Sequence, residues 1–102
     1  MELNFLTKIE DGRVVSSLYL YTVRLPSRYL GVIEEVFTED MYRNRGYATE
    51  LIKRAINMCR SRGCDCVELT VREDKPEIQK FYQSLGFFDR QNRAYRLKFE
   101  GQ

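Results

Sequence analysis

Apolar and polar positions along the chain fall into blocks of two different characters. In "NFLTKIEDGRVVSSLYLYTVRL", residues 4–25, two β-type runs flank Asp11-Gly12, a dipeptide favoured in tight hairpin turns. Residues 13–24 are rich in Val, Leu, Tyr and Thr, which suit a pleated, half-buried surface. "PSRY" (26–29) interrupts the run, and "LGVIEEVFT" (30–38) resumes it as a third strand with Glu34 and Glu35 set among apolar residues. The period then changes. Leu51, Ile52, Ala55, Ile56 and Cys59 recur at helical spacing, which predicts an amphipathic helix over 48–61 stopped by Gly63. "CDCVELTV" (64–71) has the nearly continuous apolar run of a strand covered on both faces. Pro76 opens a second helix through "EIQKFYQSL", and Gly86 ends it. "FFDR" (87–90) and "AYRLKF" (94–99), on either side of a "QN" turn, are expected as closing strands.

The resulting order, β-β-β-α-β-α-β-β, is an α/β (α+β) arrangement. It implies a mixed, mostly antiparallel sheet with helices on its faces and a right-handed crossover in the central βαβ unit. No repeat, low-complexity segment or linker interrupts it, so residues 1–102 are expected to form one domain.

Composition narrows the function. A formal charge of +2 gives no support for a nucleic-acid partner. The amino-terminal segment carries Glu2, Lys8, Glu10 and Asp11, unlike a signal peptide, and no apolar run reaches membrane length. A cytoplasmic location without membrane association is expected. The three cysteines, Cys59, Cys64 and Cys66, suit free thiols in a reducing compartment. There is no histidine, which removes histidine-based triads, general bases and metal ligands. Three cysteines alone cannot complete a four-ligand zinc site, so no metal is expected.

The segment with most chemical content is "MYRNRGYATELIKRAI" (41–56), where Arg43-x-x-Gly46-x-Ala48 leads straight into the first helix. It lacks both the Walker ending and the three spaced glycines of a dinucleotide fingerprint. Gly46 permits a backbone geometry closed to other residues, and Ala48 leaves the main chain open to close approach. A helix beginning here points unpaired N–H groups at the loop, as an anion site does. A solvated basic turn has the same local pattern, and the flanking sequence decides between the two.

"IEEVFTEDMYRNRGYATELI", followed after a strand by "KFYQSLGF", resembles the two motifs of the GCN5-related N-acetyltransferase (GNAT) family over roughly residues 12–98. The resemblance implies an enzyme that transfers the acetyl group of acetyl-CoA to a primary amine by direct attack. It assigns the cofactor's pyrophosphate to Arg43, Asn44, Arg45, Gly46, Tyr47, Ala48 and Thr49, with Lys53 and Arg54 beyond, and mostly through backbone groups. Asn44 stands where the family often has glycine. The resemblance also implies that the third strand splays from the fourth, so that Val36 and Thr38 bond pantetheine through their main chain and Phe37 lies near the thioester. Glu34 aligns with an acidic residue near the acceptor amine, with Glu35 the next candidate. Successive side chains of a strand alternate, so one of the two faces the cleft and can take the amine's proton. Tyr82 falls on the family's tyrosine that protonates the leaving thiolate, and with an ordinary pKa of about 10 it holds its proton at pH 7.

The acceptor is expected to be a small amine, with a protein amine as the other class. Tyr19 and Tyr21 are read as sheet packing, with an acceptor pocket or a dimer seam as the alternatives, and the basic tail as a solvated hairpin. The chain begins almost at what would be the family's second strand, which leaves the acceptor half abbreviated. A homodimer is therefore expected, its second subunit supplying the missing wall. The competing reading is an acetyl-CoA sensor or interaction module of the same fold without turnover.

Overall fold

Asp11 and Gly12 both take positive φ, 51° and 75°, the handedness a two-residue hairpin needs to follow the twist of its strands. They join β1 (Glu2–Glu10) to β2 (Arg13–Arg24), paired antiparallel from Glu2↔Thr22 to Glu10↔Arg13. The structure is a computed structural model that describes residues 1–101. It divides into two compact units, Met1–Thr70 and the segment from Val71 onward.

In the first unit β2 also pairs antiparallel with β3 (Tyr29–Thr38). A 3-10 turn (Asp40–Tyr42) leads to α1 (Tyr47–Arg62), and β4 (Cys66–Glu68) returns parallel to β3, giving the sheet order β1-β2-β3-β4. The expected helix over 48–61 is present with one more residue at each end. Gly63 closes it at φ 86°, and Cys64 N–H bonds back to the Cys59 carbonyl at 2.9 Å.

The core forms where α1 lies on one sheet face. Leu51, Ile52, Ala55 and Cys59 of the helix are buried, as are Leu6, Leu18, Leu20 and Ile33 of the strands. Full burial of each large aliphatic side chain contributes about 1.5–3 kcal/mol. Polar residues of β1 on that face also meet the helix. Asn4 accepts from Arg62 Nη2 at 2.6 Å, and Lys8 pairs with Glu50 at 3.4 Å. Gly31 lets α1 approach β3, because a Cβ there would collide with Cys59 Sγ. Burial, with the neighbouring Cys64 thiol second, pushes the Cys59 thiol up to about 11, so it is a packing group at neutral pH. All three cysteines are free, with Cys59 buried and Cys64 and Cys66 half-buried.

Two expectations are corrected in extent. The strand expected over 64–71 is ordered only from Cys66 to Glu68, and its residues are half-buried rather than covered on both faces. Cys64 is taken up in closing α1, and pairing with β3 stops at Val32↔Glu68. In the second unit, α2 (Pro76–Ser84) begins at its proline as expected, and Gly86 follows at φ 102°. The closing strands over 87–90 and 94–99 do not form among the described residues. Gln91 takes φ 60° and its N–H bonds to Asp89 Oδ1 at 2.7 Å, a local turn that replaces ladder pairing. A two-stranded hairpin without a packed face is marginal, and Phe88, Tyr95, Leu97 and Phe99 are exposed.

Candidate active site

The site begins with an irregularity in β3. Tyr19↔Glu34 and Ser17↔Phe37 are register partners, so two residues of β3, Glu35 and Val36, stand opposite Leu18 alone. Glu35 takes φ 55°, a left-handed conformation, and the result is a β-bulge that bends and re-aims the strand. Up to Ile33 the strand contributes to the core, whereas Glu34, Glu35, Val36 and Phe37 are all exposed. The bulge lies just beyond the last β3–β4 pair, Val32↔Glu68. Past that pair the β4-facing edge of β3 carries no ladder partner among the described residues, since β4 itself ends at Glu68.

Glu34 and Glu35, adjacent on the exposed stretch, make no salt bridge among the described residues. The distal end of β3 is held from the β2 side. Ser16 Oγ donates to the Phe37 carbonyl at 3.0 Å and shares a 2.8 Å hydrogen bond with Thr38 Oγ1.

The loop follows directly. Arg43 Nε approaches the Thr38 carbonyl at 3.4 Å, and Arg43 Nη2 pairs with Asp40 at 3.1 Å. Asn44 takes φ 62° and Gly46 φ 81°. The asparagine at the family's glycine position thus adopts the left-handed geometry that asparagine tolerates better than most residues. Gly46 caps α1 without a side-chain bond. Glu50 N–H reaches the Gly46 carbonyl at 3.0 Å, while the N–H groups of Tyr47, Ala48 and Thr49 find no backbone acceptor among the described residues. A 16-residue helix therefore directs three unpaired N–H groups and its positive dipole end towards the loop.

The loop arginines pair with carboxylates of the chain itself. Arg45 Nη1 pairs with Glu10 at 3.6 Å, and its guanidinium lies 4.8 Å from the Tyr42 ring centroid. Tyr42 is buried and its hydroxyl donates to Asp11 Oδ2 at 2.7 Å, while the Tyr47 hydroxyl donates to Glu10 Oε1. These carboxylate bonds raise both phenol pKa values, because each phenol would lose its acceptor's favour on ionising. Glu10, Asp11 and Tyr42 were absent from the candidates drawn from sequence. Only the long-range fold brings them to the loop, and no local pattern marks them. Lys53 and Arg54 are exposed further along α1.

Tyr82 belongs to the second unit. It is 9% exposed, with edge-on contacts to Phe81 (5.1 Å) and Phe87 (5.8 Å). Burial raises its pKa, so the hydroxyl holds its proton at neutral pH.

A bulge in β3 next to the end of the β3–β4 ladder is thus followed by a helix whose first turn has no side-chain cap. The sequence profile described as Acetyltransferase (GNAT) family matches residues 2–87, and the chain belongs to that family. Acetyl transfer is the family's chemistry, and its members generally use acetyl-CoA. An uncharacterized N-acetyltransferase of Methanocaldococcus jannaschii is 34% identical over 67 residues, which cover 66% of this chain and 30% of that protein. A Trypanosoma brucei acetyltransferase structure is 29% identical with a TM-score of 0.86, covering 95% of this chain and 69% of that one. Glucosamine-6-phosphate N-acetyltransferase from Arabidopsis thaliana shares the fold at 17% identity and a TM-score of 0.80, over 98% of this chain and 67% of that one. The chain thus spans under a third of the curated relative's length. No helix among the described residues is long and apolar enough to cross a membrane.

Proposed function

We propose that the chain transfers an acetyl group from acetyl-CoA to a primary amine, most simply a small cationic one. The observation that carries this reading is the unladdered edge of β3 beyond Val32, followed in the chain by an α1 start that has no side-chain cap. A free strand edge can bond an extended thioester arm, and the helix end next to it suits the negative pyrophosphate. Val36 and Thr38 bond the arm through their main chain, and residues 43–49 hold the phosphates largely through N–H groups. The unpaired carboxylates of Glu34 and Glu35 are exposed beside that edge. Glu34 accepts the proton the amine must lose, directly or through water, with Glu35 the second candidate. As the nitrogen bonds to the carbonyl carbon and the C–S bond breaks, Tyr82 gives its proton to the departing sulfur. That role rests on its place in "KFYQSLGF" and on its neutral hydroxyl.

Calorimetric titration with acetyl-CoA tests the cofactor half. Saturable micromolar binding is expected, abolished by Gly46→Glu. That change sets a side chain at φ 81° and a negative charge where phosphate belongs, and it should cost more affinity than Arg45→Ala. A folded protein that fails to bind acetyl-CoA would refute the reading. Binding without turnover on any amine, and without effect of Glu34→Gln or Tyr82→Phe, would make the chain a sensor instead.

A further inference from the structure

The loop from Arg43 to Gly46 is suspended between two tyrosines, and both reach the same place. On its entry side Tyr42 donates to Asp11, and on its exit side Tyr47, the first residue of α1, donates to Glu10. Between them Arg45 pairs with Glu10 as well. Glu10 and Asp11 are consecutive residues at the tip of the β1–β2 hairpin, and Asp11 is held at φ 51° by the turn. Further contacts bind the hairpin to the same region. Arg13 bonds Glu39 at 2.6 Å, Glu39 N–H bonds the Val15 carbonyl at 2.9 Å, and Lys8 lies 5.1 Å from the Tyr47 ring centroid. The loop has little regular structure of its own, and Asn44 and Gly46 can each take either hand of the backbone, so the left-handed geometry seen here is one of several open to an untethered loop.

We propose that the hairpin tip is the positioning element of the phosphate loop: Asp11 and Glu10 clamp its two ends through Tyr42 and Tyr47, and set the spacing of its N–H groups before the ligand arrives. The proposal rests on the reading of that loop as the acetyl-CoA phosphate site. None of the four side chains need touch the cofactor. They act by lowering the ordering cost that binding would otherwise bear. Arg45 is accordingly a strut to Glu10 in the free protein.

The test is calorimetry with CoA on the full chain, with melting temperature measured alongside. Tyr42→Phe/Tyr47→Phe removes both donated bonds while keeping both rings and their cation contacts. CoA affinity is expected to fall roughly tenfold or more, with the fold retained. Asp11→Asn, which keeps an acceptor for Tyr42 and tolerates the turn geometry, is expected to bind like the unaltered protein, and Asp11→Ala to bind like Tyr42→Phe. If the unaltered chain binds CoA and the double phenylalanine variant binds as tightly, the clamp is refuted and the phosphate site stands. If Asp11→Asn and Asp11→Ala weaken binding equally, the acceptor is not what matters and the clamp is again refuted. If the unaltered chain does not bind CoA, the underlying reading of the loop fails, and the clamp with it.

Discussion

The two halves of β3 make opposite uses of one strand. From Tyr29 to Val32 it pairs with β2 on one side, and from Leu30 with β4 on the other, with Gly31 pressed under Cys59. From Glu34 to Thr38 it keeps β2 but has left β4, and Val36 and Phe37 are 37% and 50% exposed. The first half is held by packing, which tolerates almost no added volume. The second gives up burial and one ladder, leaving a free main-chain edge and two unpaired carboxylates. What separates them is the bulge at Glu35. One strand can therefore hold a fold together and still expose a main-chain edge, with the irregularity at the boundary between the two.

Three substitutions probe that boundary. Glu34→Gln, in the exposed half, should lower kcat/KM by about 100-fold or more and leave the melting temperature unchanged, because the general-base role proposed for it contributes roughly 10²–10⁴-fold and the side chain has no structural partner. Unchanged kinetics would shift the role to Glu35 or to solvent. Gly31→Ala, in the packed half, should destabilise by about 1–3 kcal/mol through its clash with Cys59 Sγ, measured by denaturant unfolding. The double variant with Cys59→Ala should lose less than the sum of the two single changes, since the added methyl then occupies vacated space. Additivity would mean that the close approach is not the cause. Glu35→Gly at the bulge itself should change stability least. Relief of left-handed strain, roughly 1 kcal/mol, is partly offset by the entropy glycine loses on folding, leaving a gain of about 0.5 kcal/mol. A clear loss would show that the glutamate side chain holds the bulge in place.

Features set by local chemistry were legible in the sequence. Asp11-Gly12 specified its turn, the spacing of Leu51, Ile52, Ala55 and Cys59 specified α1, and Gly46 and Gly63 marked the helix ends. Features set by pairing were not. Nothing in "IEEVFT" distinguishes a bulge at Glu35 from regular alternation, because both glutamates are equally polar and the extra residue is defined only against β2. The same holds for the ends of β4 and for 87–99, where apolar alternation looks like strand yet no ladder forms among the described residues. In the site, the loop was legible from its glycine and its helix, whereas the pairing of Arg45 with Glu10 was not, because only the fold brings the hairpin tip to the loop.

The contacts that tether the loop have a consequence for when the cradle comes into being. The Tyr42–Asp11 and Tyr47–Glu10 bonds close across 31 and 37 residues of chain, whereas the local bonds at the loop's entry reach back only to Thr38, Glu39 and Asp40. Contacts so distant in sequence carry a large loop-closure cost and form only once the intervening chain is organised. The segment "RNRGYA" is thus not a portable module. Excised or transplanted without the hairpin, it would keep every letter of its motif while losing the tethers that shape it. Ligand binding would accordingly report the completion of folding rather than the presence of the sequence.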